Sequence, residues 1–230
     1  MMELFIEGAS SYSHWIDNQI LFITILVGFW FLLAEFFLFW LIFRYRARDG
    51  VKAEYVTGKE KQPKKLITIS HFLILFCDVL IIIGAIKVWV DIKMVLPEPD
   101  AEVRVIGQQW TWTFGHPGPD GVLDTADDIA TTDELHVQVG KTYHFKLESE
   151  DVLHCFSVPV FRLKQDAIPG RTITGWFKPT KTGTFDIQCA EMCGIGHGVM
   201  AGRIIIESAE QHASWNENHN TMVAVEATID

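Results

Sequence analysis

The chain has 230 residues, a formal net charge of −10 at pH 7 and a hydrophobic content of 49%. So acidic a chain does not suit nucleic acid, because the phosphate backbone attracts basic surfaces. Four cysteines, one of them inside an apolar run, do not indicate a disulfide framework.

Two apolar runs, residues 19–43 and 66–90, are each about long enough to cross a bilayer as a helix. The first is a poor signal peptide, because no lysine or arginine precedes it. Residues 44–65 between them carry eight basic and three acidic residues, so the positive-inside rule places this loop in the cytoplasm. The sequence therefore predicts a two-helix transmembrane hairpin in membrane lipid. Both termini, including the outer segment 1–18, then lie on the periplasmic side of a bacterial-type inner (plasma) membrane.

Residues 91–208 change to short stretches of alternating polarity separated by turn signals such as HPGPDG and KPTKTG. The candidate strands are 102–107, 109–114, 134–139, 142–148, 152–158, 172–177, 183–188 and 202–207. Strands at this spacing predict an all-β sandwich or barrel. Residues 209–230 are polar and predict a short helix and a loose tail. Residues 91–230 carry 21 acidic and 10 basic residues, which favours a cationic partner or simply keeps an exported domain soluble.

Residues 189–200 (CAEMCGIGHGVM) place two thiols, an imidazole and a thioether in one glycine-rich segment: Cys189, Cys193, His197 and Met200. A second imidazole, His154, lies on a candidate strand. Thiolates and thioethers are soft ligands that select copper, and imidazole also suits copper. Two thiolates can each bridge two metals, so the set predicts a dinuclear copper centre for electron transfer.

Other interpretations of this segment remain open. Cys189 and Cys193 could form a disulfide in an oxidising compartment, or bind structural zinc with two histidines. Neither needs Met200. A membrane-tethered copper chaperone or storage protein is a further alternative, although such proteins commonly rely on exposed methionine or cysteine sites.

The pattern C-x-E-x-C-G-x-x-H-x-x-M, the segment DVLH ending at His154 and the segment KQDAIPGR at 164–171 resemble one family, subunit II of the cytochrome c oxidase type of haem–copper oxidases. The resemblance covers roughly residues 18–208 and implies a cupredoxin-like copper A domain. It implies that Cys189 and Cys193 bridge the coppers and that His154 and His197 each bind one.

In the same resemblance, Met200 and the backbone carbonyl of Glu191 are the weak terminal ligands. The Glu191 side chain reaches a magnesium or manganese ion at the boundary with subunit I. Considered alone, that carboxylate could equally be a solvated loop acid.

The resemblance further implies an electron-entry subunit of a respiratory cytochrome c oxidase, an oxidoreductase. Cytochrome c, or a similar cationic donor, delivers electrons through Trp110 in GQQWTWTF, and haem in subunit I reduces oxygen to water. Without the family, Trp110 and Trp112 are ordinary packing residues on an alternating strand. A copper A subunit of a nitric oxide reductase of the same superfamily is the alternative.

The second apolar run departs from the family pattern, which is close to KLEIIW at its start. Here Ile67 stands in place of the glutamate at the opening of a proton channel, followed by Thr68, and Ser70 replaces the tryptophan. The run instead carries His71 and Asp78, about 10 Å apart along one helix face. Ionisable groups at this depth are costly. Asp78, with His71 or Glu35, is therefore a candidate for pairing with subunit I or lining a proton path, or it merely fixes helix packing.

Two further features are specific to this chain. Cys155 follows His154 where relatives more often have serine, and strand alternation predicts a packed thiol rather than a ligand. The insert HPGPDGVLDTADDI clusters Asp120, Asp124, Asp127 and Asp128. Such carboxylates could bind calcium, but the spacing misses the EF-hand rule and favours a solvated acidic turn.

Overall fold

The computed structural model of the chain describes residues 7–52 and 55–226. These residues form two compact units, one within residues 17–91 and one that joins residues 7–16 to residues 92–226. The predicted order of two apolar helices followed by a β-sandwich is confirmed.

The first unit is a helical hairpin of α1 (Ser13–Arg44) and α2 (Lys61–Trp89), and a π-helical turn over Val90–Met94 follows α2. Both helices are long and apolar enough to span a membrane. The two helices pack closely at Gly84 of α2, because this residue has no side chain. A Cβ added there would lie only 2.5 Å from the Oε1 atom of Gln19 in α1. The Gln19 amide donates to the carbonyl of Ile81 at 3.3 Å, and the Trp30 indole N–H lies 3.3 Å from the Cys77 sulfur.

Helix α1 begins six residues before the apolar run 19–43 and ends one residue after it, and α2 begins five residues before the run 66–90 and ends at Trp89. On this chain alone, His71 and Asp78 are exposed and Glu35 is half-buried. The His71 Nδ1 lies 2.8 Å from the backbone carbonyl of Ile67 in the preceding turn.

The second unit is a sandwich of two five-stranded sheets. The strands are β1 (Ala101–Gln108), β2 (Thr111–His116), β3 (Ile129–Thr132), β4 (Glu134–Gln138), β5 (Tyr143–Ser149), β6 (His154–Val158), β7 (Leu163–Ala167), β8 (Ile173–Phe177), β9 (Gly183–Cys189) and β10 (Ala201–Glu207). One sheet has the order β3-β2-β1-β5-β8 and the other β4-β10-β9-β6-β7. All eight candidate strands overlap observed ones, and β3 and β7 are additional.

Alternating residues of the two sheets fill the space between them. Trp112, Phe114, Phe145 and Phe156 are fully buried, and the Phe156 ring lies 5.6–6.4 Å from the other three ring centroids. Full burial of a side chain of this size stabilises a fold by about 1.5–3 kcal/mol. This aromatic core lies directly under the strand ends that carry the predicted ligands.

The segment before α1 is part of the sandwich. Ala9 and Tyr12 are buried, the Ala9 N–H donates to Val160, and the Tyr12 hydroxyl donates to the carbonyl of Trp176. Trp176 in turn donates its indole N–H to the carbonyl of Ile92, where the chain re-enters the unit. The outer segment 1–18 therefore includes five residues, 9–13, that are anchored to the β-domain.

The C-terminal residues form a longer helix, α3 (Ala209–Glu226), than the expected short helix and tail. Its start has a reciprocal capping box: the Gln211 side chain accepts from the Ser208 N–H at 2.9 Å, and the Ser208 hydroxyl accepts from the Gln211 N–H at 3.2 Å. Trp215 on this helix stacks on His136 of β4 with ring centroids 4.3 Å apart. That contact holds α3 on the sandwich.

Candidate metal centre

The ligand loop, residues 189–200, connects β9 to β10 at one end of the sandwich. Cys189 is the last residue of β9, and its backbone N–H donates to the carbonyl of Met200 at 3.2 Å, which closes the loop. His154 begins β6, which pairs with β9 in a register that sets Phe156 opposite Cys189. Strand pairing thus brings His154 beside a loop that follows it by 35 positions.

Each of the two thiols in the loop has an imidazole nitrogen and a weaker donor close to it. The Cys189 sulfur lies 3.8 Å from the His154 Nδ1 and 3.3 Å from the carbonyl oxygen of Glu191. The Cys193 sulfur lies 3.7 Å from the His197 Nδ1 and 3.8 Å from the Met200 sulfur. The structure therefore brings together all six predicted ligand residues.

The two sulfurs are 3.8 Å apart, and both cysteines are free. A disulfide has an S–S distance near 2.05 Å, so the two thiols are not joined in this structure. Metal–thiolate bonds are about 2.3 Å long, so two sulfurs at this separation can contact the same ion.

The donor set fits two metal ions better than one. His154, Cys189 and Cys193 form a compact group with ligand atoms within 4.8 Å of one another, and His197 approaches Cys193 instead. A structural zinc site takes four cysteine, histidine or carboxylate ligands and has no use for a thioether. Soft sulfur donors with imidazole are the set that copper prefers.

The side chains that would hold the metal are buried except for His197. His154 has no exposed surface, Cys189, Cys193 and Met200 are buried, and His197 is partly exposed. Burial, and next the neighbouring Cys189 thiol, raise the pKa of Cys193 to about 11. Since thiolates are the form that binds metal, loading this site releases protons.

Trp110 lies in the turn between β1 and β2 and packs flat on the ligand loop. A Cβ added at Gly196 would lie 2.4 Å from the indole Cδ2, and one added at Gly194 would lie 3.2 Å from the indole Nε1. Gly194 also has a φ of +136°, which only glycine adopts without strain. The loop residues in contact with the indole are therefore glycines, which have no side chain to displace it. The other side of the ring faces solvent, and 41% of the Trp110 surface is exposed.

Sequence reasoning missed two residues that hold this arrangement, Asp151 and Gln109. The Asp151 carboxylate lies 2.8 Å from the His154 Nε2 and accepts from the Gln109 backbone N–H at 2.8 Å. Burial raises the pKa of Asp151, but the bonds from Gln109 and His154 outweigh it and keep that pKa below its usual range. The DVLH segment was the available signal, because it places the carboxylate three residues before the ligand.

Cys155 is a buried thiol that lies opposite Asp166 of β7, and its backbone carbonyl accepts from the Ala190 N–H of the ligand loop at 3.0 Å. Burial, and next the Asp166 side chain, raise the pKa of Cys155 to about 12. Its sulfur lies outside the group of ligand atoms from His154, Cys189 and Cys193, which favours a packed thiol over a ligand.

The acidic insert folds on itself. The Asp127 and Asp128 carboxylates accept from Thr125 and from backbone N–H groups inside the insert, and Asp124 pairs with Arg104 at 2.6 Å. Since these oxygens already have donors, the geometry favours the acidic turn over a calcium site.

Comparison with known proteins gives one consistent family. Residues 101–209 match the family model of the periplasmic domain of cytochrome c oxidase subunit II. The alternative cytochrome c oxidase subunit 2 of Bradyrhizobium diazoefficiens is 31% identical over 233 residues, which cover 92% of this chain and 82% of that protein. Cytochrome c oxidase subunit 2 of Cereibacter sphaeroides is 28% identical over 235 residues, covering 89% and 75%.

Among solved structures, the chain is similar to the periplasmic domain of subunit II of cytochrome oxidase of Bradyrhizobium japonicum. The identity is 31%, the match covers 56% of this chain and 99% of that one, and the TM-score is 0.49.

Proposed function

Since the chain belongs to the cytochrome c oxidase subunit II family, we propose that it is the electron-entry subunit of a respiratory cytochrome c oxidase. Its partner in that complex is subunit I, which holds the haem groups and reduces oxygen to water. The family is one of oxidoreductase subunits with a periplasmic domain, and two helices here are long and apolar enough to anchor that domain in the inner membrane.

The observation that carries the proposal is the pair of free, buried thiols, each with an imidazole nitrogen 3.7–3.8 Å away. Cys189 and Cys193 would bridge a dinuclear copper A centre, and His154 and His197 would each supply a nitrogen. Met200 and the Glu191 carbonyl would be the weak donors. When bound, copper A supplies a carrier that takes up and releases one electron at a time.

The residues around the loop fit a docking face for the donor. Trp110 touches the loop and is exposed, and Met192, Ile195 and Val199 expose apolar side chains beside it. Exposed apolar patches of this kind mark interaction sites. The acidic domain would steer a cationic donor such as cytochrome c to this face, and the Trp110 ring would be the entry point for the electron.

The Glu191 side chain is exposed, which leaves it available for a magnesium or manganese ion at the boundary with subunit I. The basic loop 44–65 would face the cytoplasm and both termini the periplasm.

Steady-state turnover of the purified complex tests the function. The complex should consume oxygen with reduced cytochrome c, and Trp110→Phe should slow electron entry while the copper spectrum stays unchanged. Trp215→Phe is the matched control, because Trp215 packs on His136 instead of the ligand loop. Equal rates in the two variants would reject Trp110 as the entry point.

A nitric oxide reductase remains the second candidate, because Ile67 replaces the family's channel glutamate. Parallel assays with oxygen and nitric oxide separate the two functions. Reduction of nitric oxide without oxygen uptake would overturn the oxidase proposal.

A further inference from the structure

The Asp151 carboxylate contacts two different parts of the centre at once. One oxygen lies 2.8 Å from the His154 Nε2, the ring nitrogen that faces away from the cysteines. The other accepts from the backbone N–H of Gln109 at 2.8 Å. Asp151 belongs to the loop between β5 and β6, and Gln109 belongs to the turn between β1 and β2, so this side chain joins two separate connections of the sandwich.

The same turn is tied to the ligand loop by a second bond. The Gln109 side-chain amide donates to the carbonyl of Cys193 at 2.6 Å. The next residue, Trp110, lies on Gly194 and Gly196. A continuous set of contacts therefore runs from the imidazole of His154 through Asp151 and the Gln109–Trp110 turn to the backbone of the ligand loop.

A carboxylate on the outer nitrogen of a ligating histidine has two physical effects. It fixes the tautomer, because Nε2 carries the donated proton and Nδ1 keeps its lone pair toward the sulfurs. It also makes the imidazole a stronger donor to a metal. The second oxygen of Asp151 adds an effect on the turn, because it satisfies a backbone N–H at the base of Trp110.

We propose that Asp151 is a positioning residue that orients the ligand His154 and seats the Gln109–Trp110 turn with one carboxylate. The copper centre and the entry ring are thereby aligned by the same side chain. The inference rests on the proposed function, since it assigns a role at the same site.

Asp151→Asn in the full chain is the central test. Asparagine keeps the shape but has one acceptor oxygen in place of two, so it cannot accept from both Gln109 and His154. We expect copper affinity, measured by competition with a chelator, to fall roughly 10- to 100-fold. The reduction potential should rise, because a weaker imidazole donor stabilises the oxidised form less. The hyperfine pattern in electron paramagnetic resonance should become unequal between the two coppers.

Glu150→Gln is the matched control. It removes the same charge at the neighbouring position, and Glu150 is exposed. Copper affinity and reduction potential should stay at the wild-type values in this variant. If Asp151→Asn behaves as Glu150→Gln does in all three measurements, the inference is wrong.

Gln109→Ala separates the two effects and provides a second test if Asp151→Asn folds poorly. It removes the bond to Cys193 and leaves both Asp151 contacts in place, so copper affinity should be kept while electron entry from cytochrome c slows. Loss of copper with unchanged electron entry would contradict the assignment. A wild-type chain that binds no copper pair would instead defeat the proposed function, so the two failures are distinguishable.

Discussion

Adding one methyl group at Gly196 is expected to push Trp110 off the ligand loop. The new Cβ would lie 2.4 Å from the indole Cδ2 and 2.6 Å from Cγ, whereas ordinary contacts begin near 3.4 Å. The ring must therefore retreat by about 1 Å. The Gly196 backbone has φ −83° and ψ 7°, a region that residues other than glycine adopt in type I turns, so the backbone adds little strain.

Overpacking of this kind costs about 1–3 kcal/mol. Trp110 has solvent on its outer side, so the ring has room to move and the cost should fall near 1 kcal/mol, at the low end of that range. Displacing the ring should also slow electron entry, because the contact between indole and loop is lost.

The assay is denaturant unfolding of the metal-free full chain, with wild type, Gly196→Ala and Gly198→Ala compared. Gly198 is the control, since a Cβ there meets nothing within 4 Å. A Trp110→Ala background should abolish the Gly196→Ala penalty, because the clash partner is gone. Equal penalties at the two glycines, or a penalty that persists without the indole, would refute the steric reasoning.

Three further predictions concern the core, acid stability and the membrane helix. Phe156→Ala should destabilise the domain by about 3–5 kcal/mol, against less than about 0.5 kcal/mol for the exposed Val122→Ala, as measured by denaturant unfolding. Burial, and next the neighbouring His136, lower the pKa of His116 to about 3. In the unfolded chain His116 binds a proton near pH 6.5, whereas in the folded chain it does so only near pH 3. The free energy of unfolding should therefore be highest above pH 6.5 and fall by about 1.4 kcal/mol per pH unit below it. Urea unfolding at pH 7 and pH 5 should show this loss in wild type and a smaller one in His116→Gln, and equal losses would contradict it. Asp78→Asn should lower turnover and proton uptake if Asp78 serves a proton path, and unchanged rates would reject that role.

The ligands could be predicted from the sequence because five of the six ligand residues fall within one short loop. The spacing of Cys189, Cys193, His197 and Met200 shows the chemistry without any fold, and His154 stood out on its own strand. Asp151 and Gln109 could not be paired in this way, since they are 42 positions apart and meet only because two sandwich connections lie side by side. Local patterns carry no information about such contacts.

The elements that the sequence did not predict, β3, β7 and the full length of α3, also have physical explanations. Strand β3 has only four residues, and β7 buries only its two end residues, so neither shows a strong alternation. Residues 9–13 are too few for any periodicity, although they anchor the chain. For α3, a signal was available: Ser208 and Gln211 form a capping box, and His212, Trp215 and His219 share one helix face.

Electron paramagnetic resonance of the copper-loaded full chain tests the bridged metal pair most directly. A single unpaired electron shared by two copper nuclei, with two coppers per chain, is the predicted result. Zinc retained in place of copper, or a bond between the Cys189 and Cys193 sulfurs in the working enzyme, would contradict it.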